Sequence, residues 1–322
     1  MKALRFEKFG DLDVLEVAEL PRPVPGRGEV LVAVYAASIN PSDVKNVQGK
    51  MEGTTLPRTP GRDFAGHVVE GPPELRGVDV WGAGGDIGFT REGAHAEFIV
   101  VPEDGVSRKP AILSFEEAAS VGVNFVAAWA GLNDAARLGA GETVLVTGAA
   151  GGVGSSVVQL ARWMGARSIG VDRSKRPFLP DHLRADFSVA SSEDVLAAVH
   201  RVTDGRGVDV LYDTVGAPLF ETNLAALDKG GRYVLIASAG DRRASLDLLD
   251  FYHKRTALFG VDTRALDTRA CARILDRLRV GFENSQLRPP RIAKTFTLAD
   301  GRAAYEAASS AAGGKIVFTM AP

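Results

Sequence analysis

Apolar positions along the chain follow two different rhythms, and the change from one to the other divides the sequence. In the first third, short apolar runs alternate with glycine and proline: Val30 to Ala36, His67 to Val69 before Gly71-Pro72-Pro73, and Ala96 to Val101 before Pro102. Runs of this length, each closed by turn-forming residues, predict an antiparallel, partly barrel-like β region. A helix is predicted over Phe115 to Leu132. Beyond it, strand-like runs recur about every 25–30 residues, over 143–147, 168–171, 187–190, 208–212, 232–237 and 258–262, with helix-spaced segments between them. Strand and helix in alternation predict a parallel, doubly wound sheet. Between the first two strands, Val153, Val157, Leu160, Ala161 and Met164 fall on one helix face. After Asp262 the alternation stops, and the tail reads as a helix over 268–280, a short strand over 293–297, an Ala-rich helix over 303–312 and a last strand near 313–318.

The length of 322 residues accommodates two domains. Lys and Arg number 38 against 40 Asp and Glu, a net charge of −2, so the chain lacks the basic footprint that binds nucleic acid. One cysteine, Cys271, allows no intramolecular disulfide and no Cys-rich zinc or iron–sulfur site. Lys2, Arg5, Glu7 and Lys8 interrupt any signal-peptide core, and no stretch approaches the ~18 uncharged apolar residues of a membrane span. A cytoplasmic location with no membrane partner is expected.

The most specific motif is Val144-Leu145-Val146-Thr147-Gly148-Ala149-Ala150-Gly151-Gly152-Val153-Gly154, a buried-type strand entering a Gly-rich turn and a helix. Glycines there let the backbone approach a pyrophosphate, whose charge meets free N–H groups and the positive end of the helix. Ala150, Gly151, Gly152, Val153 and Gly154 are the expected phosphate contacts. The strict fingerprint would have glycine at Ala149, and a plain Gly-rich turn fits the loop taken alone. At the end of the second strand, Asp172 suits a free ribose 2′-OH, whereas Arg173, Ser174, Lys175 and Arg176 suit a 2′-phosphate. Three cations against one anion point to NADPH, and Asp172 keeps NADH open. Val215 and Gly216, after the fourth strand, and Ala237 and Ser238, after the fifth, are candidates to edge the nicotinamide. Ordinary strand-end turns are the other reading.

These segments resemble the medium-chain dehydrogenase/reductase superfamily, in particular its zinc-free quinone oxidoreductase and enoyl reductase branch. The resemblance rests on Ala37-Ser38-Ile39-Asn40-Pro41-Ser42-Asp43 with Gln48-Gly49, on Pro60-Gly61-Arg62-Asp63-Phe64-Ala65-Gly66, on Gly93-Ala94-His95-Ala96-Glu97-Phe98, on the glycine loop and on Asp213-Thr214-Val215-Gly216, in that order over almost the whole chain. It implies an α/β protein with a GroES-like, β-rich catalytic domain from residues 1–121 and 263–322. A Rossmann dinucleotide-binding domain over 122–262 would be inserted in it, with a substrate cleft at the junction, and the chain would form a homodimer.

Zinc-dependent relatives carry a cysteine in the segment matching Ser38 to Asp43, a histidine in the segment matching Gly61 to Gly66, and a four-cysteine lobe. This chain has none of these. Its five histidines stand singly, whereas a catalytic zinc needs about three protein ligands. Hydride transfer to a quinone or an α,β-unsaturated carbonyl then needs another donor near the oxygen that gains charge. Asn40 is the first candidate, unless it only holds the turn before Pro41, and Asp43 and Lys45 are further candidates for proton delivery or orientation. Enoyl-thioester reductases of this branch have a tyrosine after the Gln48-Gly49 segment, where this chain reads Lys50-Met51, so a quinone or simple carbonyl or alkene electrophile fits better than a thioester. The expected function is zinc-independent NAD(P)H-dependent reduction of such a small molecule. An enoyl or 2-alkenal double-bond reductase is the first alternative, and a dinucleotide-binding sensor or structural protein with little catalysis is the second.

Overall fold

A computed structural model describes residues 1–174, 180–240, 242–310 and 313–320. The chain divides into two compact units, one formed by Met1–Val126 with Thr263–Pro322 and the other by Ala127–Asp262.

In the unit Ala127–Asp262, six strands form one parallel sheet. Their spatial order is Phe187–Ala190, Arg167–Asp172, Thr143–Thr147, Val208–Asp213, Leu227–Leu235 and Ala257–Gly260. In chain order this is 3-2-1-4-5-6, the doubly wound dinucleotide-binding arrangement expected from the alternation. The apolar runs have their physical reason here. A central strand covered on both faces buries every side chain, and Thr143–Thr147 is buried along its whole length. The fifth strand starts earlier than the expected 232, because Gly230 at φ +76° and Gly231 shift its register between the Val208/Leu227 and Val210/Arg232 pairs.

The predicted helix from Phe115 is regular only in part. It runs over Phe115–Trp129 with a break at Gly122 and continues as a π-helical turn over Ala130–Ala135. At the break, Asp63 accepts the Val123 N–H at 2.9 Å. In the following turn, the Tyr212 hydroxyl donates to the Ala127 carbonyl at 2.7 Å, and a Cβ on Gly131 would lie 2.3 Å from the Tyr212 ring. A carbonyl engaged from outside favours the wider helical turn. Phe125 packs on Phe282, and Trp129 lies near Trp163, which makes both core residues.

In the other unit, Glu29–Ile39 is the central strand. It pairs antiparallel with Asp63–Glu70, with Phe98–Pro102 and with the tail strand Lys315–Thr319. A register shift between Val34 and Ala36 bends it, as serving several partners requires. Leu4, Phe6, Val30, Val32, Val34, Phe64, Tyr305 and Phe318 fill the core beneath it. Burying a side chain of this size contributes about 1.5–3 kcal/mol. The tail pairing runs from Thr319 opposite Ala36 to Ile316 opposite Ile39, which carries Lys315 to the end of the central strand, beside Asn40.

Candidate functional site

At the C-terminal end of Thr143–Thr147 the chain turns through Gly148, at φ +71°, where the Gly148 N–H is held by the Val171 carbonyl at 2.8 Å. The helix Gly152–Trp163 follows at once, and its N-cap Gly151 supplies no side-chain cap. Its first N–H groups are therefore met by no capping side chain, and the positive end of the helix dipole lies at the loop. The turn is tight enough to exclude side chains. A Cβ on Gly154 would lie 2.1 Å from the Gly148 carbonyl oxygen and 2.8 Å from the Ala149 Cα. One on Gly151 would lie 3.1 Å from the same oxygen. Ala149 is buried under the turn, facing Gly170, whereas Gly151 and Gly152 are exposed. An uncapped helix start, a cradle that glycine alone fits and exposed backbone together suit the pyrophosphate of a dinucleotide.

The other expected cofactor residues surround this loop. Asp172 ends the second strand and accepts the Ala150 N–H through both carboxylate oxygens, each at 3.1 Å. Arg173 and Ser174 follow and are exposed, and Lys175 lies outside the described residues. After the fourth strand, buried Asp213 organises the turn. Its Oδ1 accepts the N–H groups of Val215 at 2.8 Å and Gly216 at 3.0 Å and the Thr147 hydroxyl, and its Oδ2 accepts the Tyr233 hydroxyl at 2.5 Å. Gly216, at φ +86°, passes so near the fifth strand's end that a Cβ would meet the Ala237 carbonyl oxygen at 2.6 Å. Ala237 and Ser238 are exposed there. Asp213 was legible only as part of a turn motif, yet it fixes the backbone of two candidate contacts.

In the β-rich unit the structure gathers Ser38, Asn40, Asp43, Asp63 and Lys315, all buried. The Asn40 amide donates to Asp63 Oδ2 at 2.8 Å and its carbonyl oxygen accepts from Lys315 Nζ at 2.5 Å. Lys315 also donates to Ser38 Oγ at 3.2 Å and lies 3.7 Å from Asp63. Asp63 further accepts from Ser38 Oγ at 3.2 Å, so its carboxylate is surrounded by donors. Asp43 accepts the Asn40 backbone N–H at 2.7 Å at the start of helix Pro41–Val47. Lys45, on the same helix, is exposed and belongs to no part of this cluster. Sequence reasoning missed Lys315 as a partner; the available signal was a lone cation opening the apolar run Ile316-Val317-Phe318.

Below the cluster, His95 is buried, and burial pulls its pKa down to about 4. A neutral imidazole has one N–H, and the Ser38 carbonyl, 3.2 Å from Nε2, can only accept, so Nε2 carries the proton. Nδ1 then accepts the Tyr305 hydroxyl at 2.9 Å. His95 thus acts as a strut, and Gly61 at φ +99° leaves room for its ring, since a Cβ there would lie 2.4 Å from it.

Burial, aided by the neighbouring Asp63 carboxylate, pushes Asp43 up to about 7 against the opposing pull of the Asn40 N–H, Arg62 and Lys315. Between pH about 4 and about 7 the folded chain then keeps a proton that the unfolded chain releases, so Asp43 withdraws stability as pH rises. His95 works in the opposite sense below its ordinary pKa, so the comparison between two variants is the clean readout. Asp43→Asn keeps an acceptor oxygen for Asn40 and cannot ionise. Its stability relative to the unsubstituted chain is expected to rise by up to about 1.4 kcal/mol per pH unit across that window, measured by urea unfolding. A difference independent of pH would refute the raised pKa.

Among the described residues, no group of three or more His, Cys, Asp or Glu is placed to hold a metal ion, and no helix is long and apolar enough to cross a membrane. Residues 26–111 match the model of the alcohol dehydrogenase GroES-like domain, and residues 152–278 match that of the zinc-binding dehydrogenases. A zinc-type alcohol dehydrogenase-like protein of Schizosaccharomyces pombe is 36% identical, over 99% of this chain and 97% of its own length. A quinone oxidoreductase of Lama guanicoe is 28% identical over 99% of this chain and 98% of its own. The crystal structure of AibC superposes with a TM-score of 0.90 at 29% identity, covering 100% of this chain and 96% of AibC. That of a mycobacterial quinone oxidoreductase superposes with a TM-score of 0.86 at 25% identity, covering 99% and 100%.

Proposed function

Because this chain belongs to the medium-chain dehydrogenase/reductase superfamily of NAD(P)-dependent oxidoreductases, we propose that it is a zinc-independent reductase passing hydride from NADPH to a quinone or an activated carbonyl or alkene. The observation that carries this reading is the glycine cradle at the start of Gly152–Trp163, closed to any side chain at Gly154.

When bound, the reduced nicotinamide supplies the hydride. The N–H groups of Gly152, Val153 and Gly154 hold the pyrophosphate, while the Gly151 N–H closes the turn on the Gly148 carbonyl at 2.9 Å and Ala150 is fixed by Asp172. With Asp172 engaged on the loop, exposed Arg173 and Ser174, together with Lys175, favour a 2′-phosphate and hence NADPH over NADH. Val215, Gly216, Ala237 and Ser238 shape the nicotinamide end. Asn40 is the oxyanion donor: one amide hydrogen is engaged by Asp63, and the Lys315 ammonium on its carbonyl oxygen polarises the amide, strengthening the second N–H towards a substrate oxygen. Asp43, holding a proton near neutral pH, is the internal acid, and Lys45 has an outer orienting role at most.

The absence of zinc from this reading rests on the donor set. Where a thiolate and an imidazole would serve a metal, the segments 38–43 and 61–66 bring Ser38, Asn40, Arg62 and Asp63, with Lys315 neutralising the carboxylate. Two copies are proposed to associate, since Ala257–Gly260 is an edge strand with Leu258 42% exposed, and light scattering is expected to return twice the chain mass.

Initial rates with phenanthrenequinone and with but-3-en-2-one, each with NADPH and NADH, test the reading. Turnover faster with the quinone and with NADPH is expected. A faster enone makes the chain an alkenal-type reductase, and tight NADPH binding without turnover on either acceptor makes it a dinucleotide-binding protein.

A further inference from the structure

The largest polar side chain in the β-rich core is Arg62, which is 2% exposed. Only one end of its guanidinium has a partner among the described residues: Nη1 donates to Thr263 Oγ1 at 3.3 Å. Nε and Nη2 have none. These two atoms form the side-on edge of the guanidinium, the fork whose parallel N–H bonds match the two oxygens of a carboxylate. Arg62 lies over the Phe89 ring, with Cζ 5.6 Å from the centroid. A Cβ on Gly84 would lie 3.8 Å from Nη2 and 2.7 Å from Cys271 Sγ, so the surroundings are a ring, a thiol and glycine backbone.

Among the described residues no carboxylate forms an ion pair with this cation, and Asp43 meets it only through the field between them. Asp63 is already surrounded by Asn40, Ser38, Lys315 and the Val123 N–H. Asp43 is bonded to the Asn40 N–H and makes no bond to Arg62. Two buried cations, Arg62 and Lys315, therefore share one fully engaged carboxylate and one that holds a proton for part of the time near neutrality. A second guanidinium lies beside the same ring. Arg264, part-exposed, lies over the same Phe89 ring at 4.5 Å and donates to the Glu52 carbonyl at 2.6 Å. A desolvated guanidinium with an empty fork is costly unless an anion completes it.

We propose that the Nε–Nη2 edge of Arg62 is a carboxylate subsite, and that the electrophile this chain reduces carries a carboxylate group bound there. The electrophile rests on the reductase reading, and the carboxylate on the geometry of Arg62.

The test uses the full chain with NADPH and three probes: trans-3-benzoylacrylate, its methyl ester, and the saturated 3-benzoylpropionate, which cannot accept hydride. The acid-over-ester ratio of kcat/KM is expected to fall at least about tenfold from the unsubstituted chain to Arg62→Leu, with the loss chiefly in KM for the acid, as for a charge-assisted pair. Arg62→Lys keeps the charge without the fork and is expected to lose several-fold of the same ratio, which keeps the test open should the leucine variant not fold. Calorimetry with 3-benzoylpropionate reads the subsite without turnover. Binding that weakens at least about tenfold in the variants supports the subsite even where no acceptor is reduced, and then the reductase reading alone fails. Reduction of the ester with an acid-over-ester ratio that neither variant changes overturns the subsite and leaves the reductase standing.

Discussion

Gly154→Ala is expected to remove dinucleotide binding while leaving the rest of the chain folded. The added Cβ would stand 2.1 Å from the Gly148 carbonyl oxygen and 2.8 Å from the Ala149 Cα, and both obstacles are backbone. No rotamer relieves the clash, so the loop must open and carry its N–H groups away from the phosphate position. Charge-assisted hydrogen bonds contribute about 1.5–3 kcal/mol each, so losing one weakens binding at least about tenfold and losing two at least about a hundredfold. Forcing a methyl into a packed turn costs about 1–3 kcal/mol of stability, little enough for the variant to remain folded. Gly151→Ala is the graded control. Its Cβ would lie 3.1 Å from the same oxygen, a contact that a few tenths of an ångström relieve, and Gly151 is exposed. NADPH titration followed by quenching of tryptophan fluorescence, with Trp129 and Trp163 in the same unit as the loop, measures both. Equal affinity of Gly154→Ala and the unsubstituted chain would sink the cradle.

Lys315→Met is expected to be the most destabilising single change in the β-rich unit. Lys315 is buried, and burial pulls its pKa down while Asp63 and Asp43 push it up. Methionine matches the stem but leaves the Asn40 carbonyl oxygen and part of the Asp63 charge without a donor. Removing one partner of a buried ion pair costs about 3–5 kcal/mol. The double change Lys315→Met with Asp63→Asn removes the stranded charge and should recover part of that loss. Guanidinium unfolding of the two single variants and the double variant measures the coupling. A loss below about 1 kcal/mol in Lys315→Met would show that the ammonium contributes little to the fold.

The doubly wound sheet was legible because its central strands are buried on both faces, so they appear in the sequence as continuous apolar runs such as Val144-Leu145-Val146, and the helix after the glycine loop shows its single apolar face. The β-rich unit was legible as strands but not as pairings. Glu29–Ile39 takes its last residues' partners from Lys315–Thr319, near the far end of the chain, and nothing local announces that register. The polar cluster was hidden for the same reason. Asn40 could be picked from its segment, but its amide partner Asp63 is 23 residues away and its carbonyl partner Lys315 is 275 away. The break at Gly122 depends on the Asp63 side chain, and the π-helical turn depends on Tyr212, so a periodicity count over Phe115 to Leu132 shows one uninterrupted helix. Arg62 stands inside the segment Pro60 to Gly66, and its unpaired Nε and Nη2 follow from neighbours brought in from distant parts of the chain.

Hydride transfer without a metal is tested most directly by isotope labelling. The chain, dialysed against EDTA and its zinc content checked by atomic emission, is mixed with NADPH deuterated at the transferred C4 position and an enone acceptor. Turnover undiminished by the chelator is expected, with deuterium appearing on the acceptor's β-carbon. Turnover that disappears with EDTA and returns with added zinc would contradict it.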